Sequence, residues 1–171
     1  VGLHVIPGPM TNSPATFTRV TATAGYYGMA LWALVDSAVS LTDSSLAGSV
    51  NGYYFTTVLR SPISVVDSTI TNTHASSPAV VVNAAVDLSP FSFTRSTVSA
   101  AGALTFVLAV TDSPLTAVDS TFRTDATATP ADAIRYGAGV VNSAITLTDT
   151  TLHAFWVGLH TMPGPVTNSP V

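Results

Sequence analysis

Residues 61–71 read SPISVVDSTIT, and this stretch decides the fold. After the anchor Ser61, the apolar residues Ile63 and Val65 stand two positions apart, which is the period of a β-strand. The next apolar residue, Ile70, follows Val65 at an odd offset, so one straight strand cannot turn all three to the same face. The tripeptide at 67–69, Asp-Ser-Thr, therefore predicts a corner between two strands, because short polar side chains bond their own backbone at turns.

The same pattern occurs six times along the chain. The copies read SPATFTRVTA, SAVSLTDSSL, SPISVVDSTI, SPFSFTRSTV, SPLTAVDSTF and SAITLTDTTL. Their anchor serines, with a seventh, are Ser13, Ser37, Ser61, Ser89, Ser113, Ser143 and Ser169, at intervals of 24, 24, 28, 24, 30 and 26 residues. After a variable loop, most copies continue into a third apolar segment such as ALWALV or LTFVLAV. Three strands in a coil of 24–30 residues predict an all-β parallel β-helix of about six coils, with neighbouring coils about 4.8 Å apart.

Equivalent positions in successive coils predict two inward stacks and one corner ladder. The first inward stack contains Phe17, Leu41, Val65, Phe93, Ala117 and Leu147. The second contains Ala22, Leu46, Ile70, Val98, Phe122 and Leu152. The corner ladder contains Arg19, Asp43, Asp67, Arg95, Asp119 and Asp149, in which the order Arg, Asp, Asp occurs twice. The loop between the second and third strands is expected to hold most of the length variation.

A longer repeat joins the two ends of the sequence. VGLHVIPGPMTNSPA, starting at residue 1, returns as VGLHTMPGPVTNSPV, starting at residue 157. The offset of 156 residues corresponds to six coils, so residues 1–171 are predicted to be a single solenoid segment of one period plus an overlap. Such a segment would continue into a further copy, either covalently or by head-to-tail contact. A continuation would carry Arg at the corner of the coil that starts at Ser169.

The composition narrows the function classes. Charged residues make up 8% of the chain and apolar residues 47%; all five cations are Arg, all nine anions are Asp, and there is no Lys, Glu, Gln or Cys. Abundant Thr, Val and Ser favour strands over helices. A net charge of −4 without a basic cluster argues against nucleic acid. The apolar runs are shorter than the roughly 20 residues of a membrane-spanning helix, so no membrane span is predicted.

The corner ladder is the strongest candidate for chemistry. Asp43 and Asp67, like Asp119 and Asp149, would stand about 5 Å apart and repel by about 1 kcal/mol. One hypothesis is a weak Ca²⁺ site or an acid and base pair. The other, which we favour because the arrangement repeats, is a solvated structural ladder in which an Arg of every third coil offsets the repulsion.

The remaining candidates gave weaker patterns. His4 and His160 occupy the same position in the long repeat, and His74 and His153 have no second His at ligand spacing, so neither metal nor cofactor is predicted. No nucleophile, zinc-hydrolase or nucleotide motif is present, so no catalytic residue and no enzyme activity are expected.

Two surface hypotheses stay open. One is an aromatic strip for sugar contact, built from Tyr26 and Tyr27, Tyr53 and Tyr54, and Trp32, Phe155 and Trp156; the same residues could equally pack a loop over the core. The other is an ice-binding face, which needs regular outward Thr-x-Thr ranks. Thr-Ile-Thr at 69–71 does not recur cleanly in the sequence.

Coils of this size with stacked Val, Ile, Leu and Phe and with Asn, Asp and Ser corners resemble the pectin-lyase-like right-handed β-helices. That class includes autotransporter passengers, filamentous adhesins, phage tailspikes and large bacterial surface proteins. The resemblance implies a right-handed solenoid and an extracellular, cell-surface role as a repeat of a fibre, sheath or adhesin stalk, with its own copies and glycans as the partners to consider. The alternative it implies is a carbohydrate-active β-helix, either a polysaccharide lyase or a tailspike-like glycosidase. A Ca²⁺-binding or ice-binding solenoid is a minor alternative.

Overall fold

The computed structural model describes residues 2–74, 76–124, 132–162 and 164–171, without the side chains of residues 3–7. All regular elements in these ranges are β-strands, numbered β1 to β23 in chain order. They form three parallel sheets stacked as a solenoid of about six turns, with three strands in each coil. The predicted all-β solenoid is therefore confirmed. None of the described ranges forms a helix long and apolar enough to cross a membrane.

The first sheet contains the strand that follows each anchor serine. Its strands, in spatial order, are β2 (Ala15–Thr18), β5 (Val39–Thr42), β8 (Ile63–Val66), β12 (Phe91–Thr94), β16 (Leu115–Val118) and β20 (Ile145–Thr148). Each strand has four residues, and neighbours pair without a register shift.

The second sheet contains the strand that follows the predicted corner. Its strands are β3 (Thr21–Ala24), β6 (Ser45–Gly48), β9 (Thr69–Asn72), β13 (Thr97–Ala100), β17 (Thr121–Thr124) and β21 (Thr151–His153). The corner predicted between the two stacks separates each of these strands from the first-sheet strand of the same coil.

The third sheet closes each coil and has 11 strands. Its first three strands in chain order are continuous: β1 (Leu3–Thr11), β4 (Tyr27–Val35) and β7 (Asn51–Leu59). In the later coils the strand is interrupted and divides into the pairs β10 (Pro78–Val82) and β11 (Val86–Asp87), β14 (Gly102–Phe106) and β15 (Val110–Thr111), β18 (Ile134–Tyr136) and β19 (Val140–Val141), and β22 (Leu159–Thr161) and β23 (Val166–Thr167).

The connection between the second and third strands holds most of the length variation. In the first coil β3 ends at Ala24 and β4 begins at Tyr27, whereas in the fifth β17 ends at Thr124 and β18 begins at Ile134. The fourth coil has the shortest connection, because β13 ends at Ala100 and β14 begins at Gly102. Coils of unequal length can therefore stack in register, since their extra residues stay outside the sheets.

The core is a column of side chains along the axis of the solenoid. Both predicted stacks point inward, and in the middle coils their members are fully buried, as Leu41, Phe93 and Phe122 show. The rings of Phe93 and Phe122 meet edge to face at 5.2 Å, so the two sheets contact each other across the interior. In the end coils Phe17 and Leu147 are only partly buried, because each has a neighbouring coil on one side alone.

Candidate functional site

Two columns of residues with positive φ run along the corners of the solenoid. One column directly precedes the anchor serines: Asn12, Asp36, Arg60, Leu88, Asp112, Asn142 and Asn168. The other is the corner ladder predicted from the sequence: Arg19, Asp43, Asp67, Arg95, Asp119 and Asp149. All have φ between 47° and 55°, the left-handed region that L-residues rarely adopt. Both columns are therefore sharp turns of one conformation, repeated in every coil.

A serine follows each left-handed residue of the first column, and the serines at 37, 61, 89, 113 and 143 are buried. The hydroxyl of Ser61 donates to the carbonyl of Leu59 in its own corner (2.7 Å) and accepts the backbone N–H of Ser37 from the coil below (2.9 Å). The same N–H to Oγ bond joins Ser13 to Ser37, and the ladder continues through Ser61, Ser89, Ser113, Ser143 and Ser169 at 2.8–3.0 Å. These serines are structural: each hydroxyl closes its own turn and also links two coils.

A second serine ladder follows the second column. Ser44 accepts the backbone N–H of Val20 at 3.0 Å, and its own N–H donates to Ser68 at 3.0 Å. Ser68, Ser96 and Ser120 continue the ladder upward at 3.2 Å. Together the two ladders satisfy the backbone donors of both corners without water, which a buried corner requires.

The corner ladder contains a bidentate ion pair. Arg95 Nε lies 2.6 Å from Asp67 Oδ1, and Arg95 Nη2 lies 2.7 Å from Asp67 Oδ2 in the coil below. This hydrogen-bonded guanidinium lowers the pKa of the Asp67 carboxyl. Asp43 and Asp119 also contribute to the charge environment of Arg95. Arg95 is therefore paired with an aspartate of the neighbouring corner, and the structural role of the whole ladder stays a prediction.

The sequence analysis missed an equivalent pair in the first column. Arg60 Nε lies 2.6 Å from Asp36 Oδ1 and Arg60 Nη2 lies 2.8 Å from Asp36 Oδ2, again one coil apart. The hydrogen bond to Arg60 lowers the pKa of the Asp36 carboxyl. Further along the column, the amide of Asn168 donates to Asn142 Oδ1 at 3.1 Å. Aligning the residue that precedes each anchor serine would have revealed this column.

The four carboxylates proposed as weak Ca²⁺ ligands form two adjacent pairs in the second column, Asp43 with Asp67 and Asp119 with Asp149, and the corner of Arg95 separates the pairs. Asp67 is engaged by Arg95. Within the part of the chain that the structure describes, no three His, Cys, Asp or Glu side chains gather to hold a metal ion. The Ca²⁺ hypothesis thus gains no third ligand from these ranges.

The aromatic residues divide between the core and two surface clusters. Tyr53 points inward, is fully buried and packs against Phe55 at 4.2 Å. Tyr54 faces outward, and its ring stacks on that of Tyr27 with the ring centroids 4.7 Å apart. The ring of Trp32 meets that of Tyr54 edge to face, with the centroids 6.0 Å apart. Burial and contact with Tyr26 raise the pKa of Tyr27 to about 12. Tyr53 is therefore a core residue and not part of an exposed strip.

The second aromatic cluster lies in the last coil. Phe155 and Trp156 are 61% and 58% exposed, and the indole of Trp156 meets the ring of His160 edge to face at 6.2 Å. These residues belong to the connection between β21 and β22, several coils away from Tyr27 and Tyr54. The single aromatic strip considered from the sequence is thus divided into two separate patches.

The outward positions of the first sheet form a regular rank of small side chains. They are Thr16 and Thr18, Ser40 and Thr42, Ser64 and Val66, Ser92 and Thr94, Thr116 and Val118, and Thr146 and Thr148. None of these positions carries a charge. Among these six strands, Thr occupies both outward positions only in β2 and β20, so the Thr-x-Thr pattern does not recur from coil to coil in the first sheet either. The ice-binding alternative stays a prediction, with this face as its candidate surface.

A small cleft lies near the connections between the second and third sheets. Its described lining includes Ser76 before β10, Asp132 before β18, and Gly102, which begins β14 after the short connection of the fourth coil. Its volume is about 130 Å³, and it is lined by Ser76, Pro78, Gly102, Thr105, Asp132 and Arg135. Unlike the corner ladders, this arrangement occurs at one place in the described chain.

Asp132 of the cleft is buried and Arg135 is half-buried, and both are only partly hydrogen-bonded. The side chain of Asp132 is 1% exposed, and its Oδ2 accepts a hydrogen bond from His160 Nδ1 at 2.9 Å. Asp132 Oδ1 and Arg135 Nε are buried and have no hydrogen-bond partner among the described residues. A buried acceptor and donor left open are costly unless another molecule engages them. A hydroxyl group, which both donates and accepts, is suited to bridge such a pair.

Sequence reasoning did not find this cleft. His160 was considered only as a repeat of His4, whose side chain lies outside the described part, and neither Asp132 nor Arg135 belongs to a motif. The cleft lies near three consecutive connections of unequal length. The interval of 30 residues between Ser113 and Ser143 was the available signal, since insertions in solenoids often mark the binding face.

Comparison with protein families, curated proteins and solved structures finds no match to the chain.

Proposed function

We propose that this chain is a structural repeat of an extracellular fibre, sheath or adhesin stalk, in which coils stack into a long, stiff rod. The observation that carries the proposal is the uninterrupted pair of corner columns. Each corner joins the one below through the same serine bond, from Ser13 to Ser169 and from Val20 to Ser120. Because the same hydrogen bond repeats from coil to coil, it supports a solenoid that extends along its axis. It does not point to a single binding or catalytic site.

The strands of the first and last described coils are each paired on one edge, and their inward side chains, such as Phe17 and Leu152, are only partly buried. These edges and side chains are compatible with a further coil. The scarcity of charge would allow lateral packing of rods or a glycan coat.

Electron microscopy of the native material tests this function. Antibodies raised against the chain are expected to label filaments at the surface of the source cells. Six coils at about 4.8 Å predict an axial repeat near 29 Å along these filaments. Labelling of discrete soluble particles inside or outside the cells would contradict the proposal.

The second candidate function is carbohydrate binding, with or without catalysis, and the cleft around Asp132 favours it. Asp132 Oδ1 and Arg135 Nε offer an acceptor and a donor to sugar hydroxyls, and the exposed Trp156 stands beside His160, the partner of Asp132. Hydrolysis by a pair of carboxylates is less well supported, because Asp132 is the one carboxylate among the described lining residues.

A glycan-binding assay separates this candidate from a purely structural role. Asp132→Asn is expected to abolish binding, whereas Asp149→Asn, a matched change on the exposed corner ladder, is expected to leave it unchanged. Gly102→Ala provides an independent variant. A methyl group there would lie 3.5 Å from the Asp132 carbonyl and 3.8 Å from Pro78, so it narrows the cleft without strain. Equal binding by all variants, or none by the unmodified chain, would rule the candidate out.

A further inference from the structure

The two copies of the long repeat use opposite edges of the same strand. Leu3, in the first copy, pairs with Met29 in the coil above it. Leu159, at the same place in the second copy, pairs with Ile134 in the coil below it. The segment is therefore paired on its upper edge at one end of the solenoid and on its lower edge at the other.

The register is the same in both copies. Five residues of β22 and β23 are paired with the coil below. The residue 156 positions before each of them lies in β1 and is paired as well. In the first copy the pairs are Leu3 with Met29, His4 with Ala30, Val5 with Leu31, Met10 with Leu34 and Thr11 with Val35. In the second they are Leu159 with Ile134, His160 with Arg135, Thr161 with Tyr136, Val166 with Val140 and Thr167 with Val141. One copy of the segment could thus serve both edges without a slip, and register slips are the main obstacle to strand pairing.

The corner that follows this segment is also bonded on opposite sides in the two copies. Ser13 donates its backbone N–H upward to Ser37 at 3.0 Å, and Ser169 accepts the N–H of Ser143 from below at 3.0 Å. A single serine at this position can do both, as Ser61 does in the middle of the ladder.

We propose that this 15-residue segment is the joint between consecutive repeats: one covalently shared copy completes the last coil of one repeat and starts the first coil of the next. The joint places Arg19 of the following repeat directly over Asp149, in the relation that Arg95 has to Asp67. This inference rests on the proposed rod function and specifies its partner as a second copy within the same chain.

The overlap also limits how copies of residues 1–171 could join. In a stack of separate copies, residues 3–11 of the incoming copy would need the layer that residues 159–161 and 166–167 already occupy. If the incoming strand were placed one layer higher, the first and second sheets would each lack a strand at the contact. Separate copies of this segment therefore cannot form a continuous solenoid, whereas tandem repeats that share the overlap can.

A cysteine cross-link tests the joint in a chain that carries the repeat twice, as residues 1–156 followed directly by residues 1–171. The natural sequence has no Cys, so an introduced pair reports without background. Equivalent positions of adjacent coils are about 4.8 Å apart, within the roughly 4.4–6.8 Å that a disulfide spans between Cα atoms. Asp149→Cys in the first copy and Arg19→Cys in the second are expected to form a disulfide under mild oxidation.

Two pairs in the single chain calibrate the assay. Asp67→Cys with Arg95→Cys joins adjacent corners and is expected to cross-link. Asp43→Cys with Arg95→Cys spans two coils, about 10 Å, and is expected to stay reduced. A mixture of single chains, one with Asp149→Cys and the other with Arg19→Cys, is expected to give no covalent dimer.

The outcomes separate the joint from the rod. With both controls as expected, a tandem chain that stays reduced would overturn the proposed joint, and a covalent dimer in the mixture would overturn the exclusion of head-to-tail contact. Electron microscopy of the tandem chain measures the rod independently. A particle twice as long as the single chain supports the rod even without the cross-link, whereas two separate bodies would contradict the rod itself.

Discussion

At the scale of single residues, a buried serine hydroxyl holds each corner to the next. Ser61 Oγ is the acceptor for the N–H of Ser37, and both residues are fully buried. Ser61→Ala would leave that N–H without a partner, and the expected loss in free energy of unfolding is about 1–3 kcal/mol. Chemical denaturation of the purified chain measures it.

Ser13→Ala is the matched control. The hydroxyl of Ser13 makes the same bond to the carbonyl of Thr11 but is exposed, and it lies in the lowest corner. The expected loss there is no more than about 0.5 kcal/mol. Equal losses for both variants would show that the inter-coil bond contributes nothing measurable.

The left-handed corners give a second prediction. Leu88 has φ 49° and is 50% exposed, whereas the same column has Asn at positions 12, 142 and 168. Asn tolerates this conformation better than Leu because its short polar side chain can bond locally. Leu88→Asn is therefore expected to raise the free energy of unfolding by about 0.5–1 kcal/mol, since left-handed strain costs about 1–2 kcal/mol. The reverse change, Asn142→Leu, should lower it, and a drop in stability with Leu88→Asn would argue against strain at this corner.

Acid should weaken the two corner ion pairs. Hydrogen bonds from Arg60 and Arg95 lower the pKa of Asp36 and Asp67 below the ordinary value of 3.8. Carboxyls with a lowered folded pKa contribute stability that is fully present above the ordinary value and disappears as the pH falls through the folded value. The thermal midpoint of the natural chain is thus expected to fall more steeply below about pH 4 than that of an Asp36→Asn, Asp67→Asn double variant. Identical acid profiles would show that neither pair contributes to stability.

At the scale of strands and coils, the inward stacks provide most of the burial. Phe93 lies in a middle coil between Val65 and Ala117 and is 1% exposed. Phe93→Ala is expected to cost about 3–5 kcal/mol, the range for truncating a buried aromatic residue. Phe17 is the equivalent residue in the first coil and is only partly buried, so Phe17→Ala should cost clearly less. Denaturant unfolding of both variants checks the difference, and equal costs would contradict an axial stack with open ends.

The strands, corners and stacks could be predicted from the sequence because each is local and occurs six times. The alternation at Ile63 and Val65 and the odd offset to Ile70 were sufficient for two strands and a corner. The division of the third strand into pairs such as β10 and β11 was not predicted, although Asn83, a residue type depleted in strands, lies at the break. The right-handed sense of the solenoid stays a prediction.

The candidate sites were harder to predict because they depend on register between coils of unequal length. Asp36 and Arg60 meet because their coils are 24 residues apart, whereas Asp67 and Arg95 meet across 28. Asp132 and His160 are also 28 residues apart, but Asp132 lies in the connection before β18, whereas His160 lies in β22. A search of the sequence with a fixed 24-residue period finds the pair Asp36 and Arg60 but misses the pair Asp132 and His160.

At the scale of the whole molecule, the coils stack along one axis, and further repeats are expected to extend the solenoid along it. Strands in such a rod run across the axis and pair along it at about 4.8 Å. X-ray fibre diffraction from an oriented film of tandem-repeat chains tests this directly. The account predicts a strong reflection near 4.8 Å parallel to the long axis of the particles. A reflection of that spacing perpendicular to the axis, or none at all, would contradict it.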